Sequence, residues 1–399
     1  MSPVATALHR LVFSTLRAVT LSVFLAAAGA ANTAGATDAA GAANAAGAAQ
    51  ETLKIDHAEF RAEGLTSSLR VALPDTWVQR GQPAGGIGHY RMRFTLTAAV
   101  DEVWALRAER LSTAHELRLN GRLVHGSLYT APQLKRPVQT LIPLPPHLLR
   151  EGDNTLDIVI HTGVNAGLSA VTLGPALALA TEFQRSQQRE VALPQMLNIA
   201  GASVSLFMLL LWLRRRSETV LGSFGALGLL ASLRNYAYFE PGTVLPSPVA
   251  SWLYMMAQLL TVLLLGIFAM AFAGHRTRWY RRVLVVVALL FFGCSLWALW
   301  ADALQAARQW LYPLLLLLVV AALGLVAQAA VHRRSAIEMT LAASLSGVLG
   351  AGIHDYLYQL GHLSVMGSFW TPYAVPLMLA AFSALLLKRL QLALEGAER

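Results

Sequence analysis

Charged residues are scarce in this chain: Asp, Glu, Lys and Arg fill 13% of its 399 positions, about half the usual share of roughly 25% in a globular domain. That shortage, with 55% hydrophobic residues and a mean hydropathy of +0.51, excludes disorder, coiled coil and collagen and argues against a soluble enzyme. Cysteine is nearly absent too. Cys294 is the only one, so no disulfide can form within a monomer and any exported domain must be held by its core. Lysine occurs three times, at Lys54, Lys135 and Lys388. None lies in an apolar run, so a retinal Schiff base in the last helix is ruled out. The chain has no H-E-x-x-H, G-x-S-x-G or P-loop, and Gly86-Ile87-Gly88 lacks the third glycine of a dinucleotide fingerprint. The histidines are scattered, so no cofactor and no metal site is expected.

What is present falls into blocks. Residues 1–30 carry a basic start (His9, Arg10, Arg17), an apolar stretch from Leu21 and an A-x-A end at Ala28-Gly29-Ala30, which reads as an export signal. An uncleaved signal anchor is the alternative, and both place the next segment outside the cytoplasm. Residues 31–52, rich in Ala and Gly, read as a linker. From 53 to 180 the pattern turns to short alternating runs. Tyr90–Leu96, Val103–Arg107, His115–Leu119 and Thr155–His161 read as strands, with Asn120-Gly121 as a tight hairpin turn. Tyr90, Phe94, Trp104 and Leu106 are expected in the sheet core, and Asn120 and Asn154 as turn formers. If this domain holds a sugar, Trp77, His89, Arg91 and Tyr129 are the residues able to supply its aromatic platform and polar contacts.

After a juxtamembrane linker at 181–193, seven apolar stretches follow at about 194–213, 218–239, 249–273, 283–300, 309–331, 336–360 and 366–387, each long enough for a hydrocarbon core of about 30 Å. Basic residues crowd the alternate connections: Arg214-Arg215-Arg216, the group from His275 to Arg282, His332-Arg333-Arg334 and Lys388-Arg389. The positive-inside rule puts those loops in the cytoplasm, so the net charge of +9 reflects topology and no nucleic-acid partner is expected. Ionisable groups inside spans point by default to function. Arg234-Asn235 and His354-Asp355 fall at similar depth near the outer face, where Asp355 is expected to pair with Arg234 while His354 and Asn235 complete a network. Snorkelling to the interface is the other reading. Pro372 and Pro376 are expected to shape the start of the last span.

The outer block resembles the galactose-binding-like, jelly-roll domains that accompany glycoside hydrolases and bacterial receptors. The residues concerned are Tyr90, Arg91 and Phe94, then Asn120-Gly121, then Ile142-Pro143, Leu148-Leu149, Gly152, Asn154 and Leu156, with Pro145-Pro146 a departure that stretches the last segment. The whole arrangement resembles the bacterial seven-transmembrane receptors with diverse intracellular signalling modules. The resemblance implies a multi-domain membrane protein: an all-β jelly-roll sandwich outside the membrane, then an all-α bundle of seven transmembrane helices, 194–387. It implies a receptor in the bacterial inner membrane that binds a small molecule or carbohydrate, on the sandwich or between it and the bundle. It also implies a homodimer that passes a conformational change to a cytoplasmic partner or module such as a histidine kinase or diguanylate cyclase. No such module lies within these residues, and no enzyme activity is expected of them. Residues 388–399, with Leu390, Leu392 and Leu394, read as the first turns of a cytoplasmic helix or as an amphipathic tail. A transporter or a membrane-tethered carbohydrate-active protein is the rival reading.

Overall fold

Alternation of large and polar side chains builds the first half of the molecule. In the computed structural model, which describes residues 52–64, 67–127, 136–236, 247–274, 278–333 and 336–397, twelve strands run from Leu53 to Pro175. The expected signal segment, 1–30, and the linker up to Glu51 lie outside the described residues. Strands β1 (Leu53–Ile55), β12 (Val171–Pro175), β6 (Trp104–Ser112) and β9 (Pro137–Leu144) form one sheet in that order. A second sheet has the order β3 (Leu69–Ala72), β2 (His57–Ala62), β5 (Gly86–Leu96), β10 (Gly152–Thr162), β7 (Ala114–Leu119) and β8 (Arg122–Gly126). The short β4 (Asp75–Thr76) pairs with β11 (Gly167–Leu168). All pairings are antiparallel, and the inward faces of the two large sheets share one hydrophobic core that includes Tyr90, Phe94, Trp104, Leu106, Leu117 and Ile158.

Local chemistry sets the corners. Asn120 and Gly121 have φ of 52° and 81°, the left-handed pair that a two-residue hairpin requires. Asn120 donates to the Leu148 carbonyl at 2.9 Å and to Asn154 Oδ1 at 2.8 Å. Asn154, fully buried, donates to the carbonyls of Arg150 and Gly152. Both asparagines therefore hold turns together, as expected. Gly88, inward-facing on β5, lets Trp77 and Phe60 lie flat against the strand. A Cβ there would overlap the Trp77 ring.

The stretch expected as a juxtamembrane linker, 181–193, is helical instead. Helix α1 (Ala176–Gln187) passes through a π turn (Gln188–Ala192) into α2 (Leu193–Arg214) without interruption. Its residues are good helix formers with no glycine or proline before Pro194, and the widened turn falls where Pro194 has no N–H to return to the carbonyl of Glu190. Six more helices follow: α3 (Thr219–Tyr236), α4 (Ser247–Ala273), α5 (Arg278–Trp300), α6 (Leu304–Arg333), α7 (Ala336–Gln359) and α8 (Thr371–Ala397). They fall on the apolar stretches read from the sequence. Among the described residues, four helical segments are long and apolar enough to cross a membrane: Ala176–Arg214, Pro248–Ala273, Arg278–Trp300 and Leu304–Arg333.

Thr52–Leu379 forms one compact unit, and the turns from Ala380 belong to a second. Within the first, Arg333 donates to the Phe272 and Ala273 carbonyls at 3.2 Å, capping the C-terminus of α4 with the basic end of α6. Two of the basic connections are thus side by side. The sheets dock at the other end of the helices, where Gln305 at the start of α6 donates to the Gly163 carbonyl and the Asn165 amide donates to the Gln359 carbonyl at the end of α7.

Candidate functional site

Of the residues proposed for a sugar platform, Trp77 does not share a face with His89 and Arg91. Trp77 lies inside the sheet core, 2% exposed, with its indole N–H donating to Tyr90 Oη at 2.7 Å. Tyr90 in turn donates to Asp75 Oδ2 at 2.7 Å, and Arg80 clamps both Asp75 oxygens at 2.6 Å. Burial and the neighbouring Asp75 carboxylate push the Tyr90 phenol well above its ordinary value, so it remains a donor in this chain of hydrogen bonds. His89 and Arg91 point the opposite way, because successive side chains of a strand alternate between faces and Gly88 and Tyr90 take the inward one. Arg91 is exposed and donates to Asp157 Oδ1 at 2.7 Å. That bond raises its pKa, whereas partial burial and then Arg61 lower that of His89. A sheet therefore separates Trp77 from the other two. Tyr129 lies outside the described residues.

The polar residues expected inside the spans do meet, but not in the expected pairs. Asp355 turns its carboxylate to the start of α8, accepting from the amides of Trp370 at 2.7 Å and Thr371 at 2.9 Å. It works as an N-cap supplied by another helix, satisfying donors that the first turn cannot. His354 lies 3.1 Å from Asp355 Oδ1 through Nδ1, and its ring stacks on Trp370 with centroids 3.9 Å apart. Arg234 bonds to neutral partners: the Gln258 side-chain oxygen, and Asn235 Oδ1 at 2.6 Å. Asn235 continues to Asn198 Oδ1 at 3.0 Å, and Asn198 donates to the carbonyls of Pro194 and Pro372 at 2.7 and 2.9 Å. The Pro372 carbonyl would ordinarily take its bond from residue 376, but Pro376 has no N–H. Asn198 replaces it, so α2 is pinned to the proline turn of α8.

Sequence reasoning passed over the residue that joins the two halves. Strand β6 slips register against β9 between Ala108 and Leu111. Such bulges re-aim side chains, and here Arg110 is 6% exposed and turned toward the helices. It forks onto both oxygens of Glu190 in the π turn at 2.9 and 3.2 Å. It also donates to the carbonyls of Glu109, Met366 and Gly367 at 2.8, 3.2 and 3.1 Å. Met366 and Gly367 belong to the loop between α7 and α8. The same loop is held by Thr76 Oγ1, which accepts from the Val365 amide at 2.9 Å, and by Tyr358, whose hydroxyl donates to the Val365 carbonyl at 3.3 Å.

Beside Arg110 is a cavity of about 100 Å³, lined by Arg136, Gln139, Glu190, Tyr358 and Tyr373 among others. The buried Oε1 of Gln139 has no partner among the described residues. Guanidinium and carboxylate groups, amides and aromatic rings together suit a ligand rich in hydroxyls. These are the elements sought on the sheets, assembled instead between the sheets and the helices. No group of three or more His, Cys, Asp or Glu that could hold a metal occurs among the described residues.

No protein-family profile matches this sequence, and no curated protein matches it either. Among solved structures it is similar to part of a β-D-mannosidase from Dictyoglomus thermophilum (17% identity, 28% of this chain and 16% of that one, TM-score 0.22). Others are a GH2 β-galacturonidase from Eisenbergiella tayi (12%, 32% and 24%, TM-score 0.25) and a β-glucuronidase from Ruminococcus gnavus (14%, 31% and 28%, TM-score 0.25). The chain thus spans between 16% and 28% of the length of these three enzymes.

Proposed function

We propose that this chain is the sensor part of a membrane signal receptor. Its sheets form an extracytoplasmic jelly roll of the galactose-binding-like kind. Seven spans carry the signal to a cytoplasmic output such as a histidine kinase or diguanylate cyclase, with the basic loops inside a bacterial inner membrane. The ligand is a carbohydrate or similar polyol, bound in the cavity beside Arg110, and a homodimer is the assembly this reading implies. The observation that carries it is the grip of Arg110 on both Glu190 and the loop at Met366 and Gly367, since whatever moves that side chain moves the entrances of α2 and α8 together. The cavity is partly open to solvent. A bound sugar shifts Arg110 and the loop toward whichever arrangement it holds more tightly, by its difference in affinity for the two.

The test uses the full chain in lipid nanodiscs, screened against a panel of monosaccharides and short oligosaccharides, with hydrogen exchange followed across Tyr358–Tyr373. A sugar that binds should alter exchange in that segment, and Arg110→Lys should keep affinity within a few fold while weakening the change. Binding that leaves the segment untouched, or no binding by any member of the panel, overturns the reading.

A further inference from the structure

Arg234 differs from the other deeply buried arginine, Arg110, in having no anion bonded to it among the described residues. It is 6% exposed in the last turn of α3, and both bonded nitrogens donate to neutral amide oxygens. Its buried Nε has no partner among the described residues. A guanidinium stays charged at any working pH, and one removed from water calls for a counter-charge. Among the described residues the carboxylate lining the space beside it is Asp355, whose oxygens are turned to the amides of Trp370 and Thr371 and to His354.

That space is a cavity of about 110 Å³ between α3, α4, α6, α7 and α8, distinct from the one at Arg110. Its lining is graded. Gln258, Tyr312 and Asp355 lie at one level, and Leu265, Val319 and Val348 line it seven residues further into their respective helices, about 10 Å along each axis. The result is a chamber that is polar at one end, where both Arg234 and Asp355 line it, and apolar at the other.

We propose that this chamber binds a short-chain monocarboxylate, with its carboxylate on Arg234 and its alkyl chain among Leu265, Val319 and Val348. Arg234 selects an anion because the Asp355 oxygens serve the Trp370 and Thr371 amides instead of the guanidinium, and the graded lining selects one short apolar tail. The proposal is independent of what the sheets bind.

The full chain in nanodiscs of phosphatidylcholine is titrated with sodium butyrate by calorimetry, with butyramide as the uncharged isostere and phosphatidylglycerol discs as a parallel arm. Saturable butyrate binding at one site is expected in both lipids, with butyramide silent. Arg234→Gln should weaken butyrate by about ten- to a hundredfold, the range of a charge-assisted hydrogen bond. Val319→Phe, which fills the apolar end and leaves the guanidinium alone, should exclude butyrate while acetate still binds; it decides the matter if the first variant does not fold. Absence of millimolar butyrate binding, equal binding of butyramide, or indifference to both substitutions overturns the proposal. So does butyrate binding that phosphatidylglycerol abolishes, since a lipid headgroup would then be the natural anion.

Discussion

Replacing Arg110 by Gln should release the α7–α8 loop from the sheets. The side chain makes two bonds to the Glu190 carboxylate and two to the Met366 and Gly367 carbonyls, besides one within its own strand. Breaking a buried charge pair by removing one partner costs about 3–5 kcal/mol, because the other charge is left behind. Glu190 keeps 34% of its side chain in contact with solvent, so water relieves part of that and the lower end, about 3 kcal/mol, applies. The loop amides report it. The Val365 N–H bonds to Thr76 across the junction, and opening that requires the loop to leave should become easier by about a hundredfold in hydrogen exchange. Glu190→Gln alone should produce a smaller effect, and the double variant should show coupling of about 1.5–3 kcal/mol between the two positions. The assay is exchange mass spectrometry on all four proteins in nanodiscs. Unchanged exchange at Val365 in the Arg110 variant, or strictly additive effects, would refute the view that this ion pair holds the two halves together.

Two further outcomes follow from buried polar groups. His115 is buried in β7 with Nδ1 2.8 Å from the Ser112 carbonyl, and burial pulls its pKa from 6.5 to about 4. The unfolded chain then binds more protons than the folded one between those values, so stability is full above about pH 6.5 and declines toward pH 4, by about 3 kcal/mol in all. Denaturant unfolding of wild type and His115→Gln at pH 7 and pH 4 measures it, and an equal pH dependence in both would count against the assignment. Asp355→Ala should cost about 1–2 kcal/mol through loss of the α8 cap, and exchanging the charges (Arg234→Asp with Asp355→Arg) should fail to restore it in thermal unfolding, because Asp355 serves amides rather than Arg234.

Much of the fold was legible because its signals are local. Alternation from Tyr90 to Leu96 placed β5, paired positive-φ residues placed the turn at Asn120-Gly121, and long apolar runs placed the helices. The site was less so, since its partners come from far along the chain or from backbone atoms. Asp355 found its donors in the amides of Trp370 and Thr371, which no side-chain pattern advertises. Trp77 precedes β5 in a short 3-10 turn, Trp77–Arg80, whose direction relative to the sheet is set by the close approach at Gly88 and not by strand period. Arg110 has no sequence signal that sets it apart from Arg107 and Glu109 in β6, and the register slip between Ala108 and Leu111 turns it inward. Asn198 carried a usable signal, an amide in an apolar helix, though its target emerged only when Pro376 was seen to leave the Pro372 carbonyl without a donor.

The latch on Val365 has a consequence for how the protein is made. Thr76 and Val365 are 289 positions apart in the chain, and Asn165 and Gln359, which meet at the same edge, are nearly 200 apart. The sheets are synthesised first and await a loop that arrives only after α1 to α7 have been made. Closure of the latch is therefore among the last events of biogenesis. Thr76 and Asn165 are buried once the latch is closed, so a protease acting on that edge would discriminate chains whose loop had docked from chains whose loop had not.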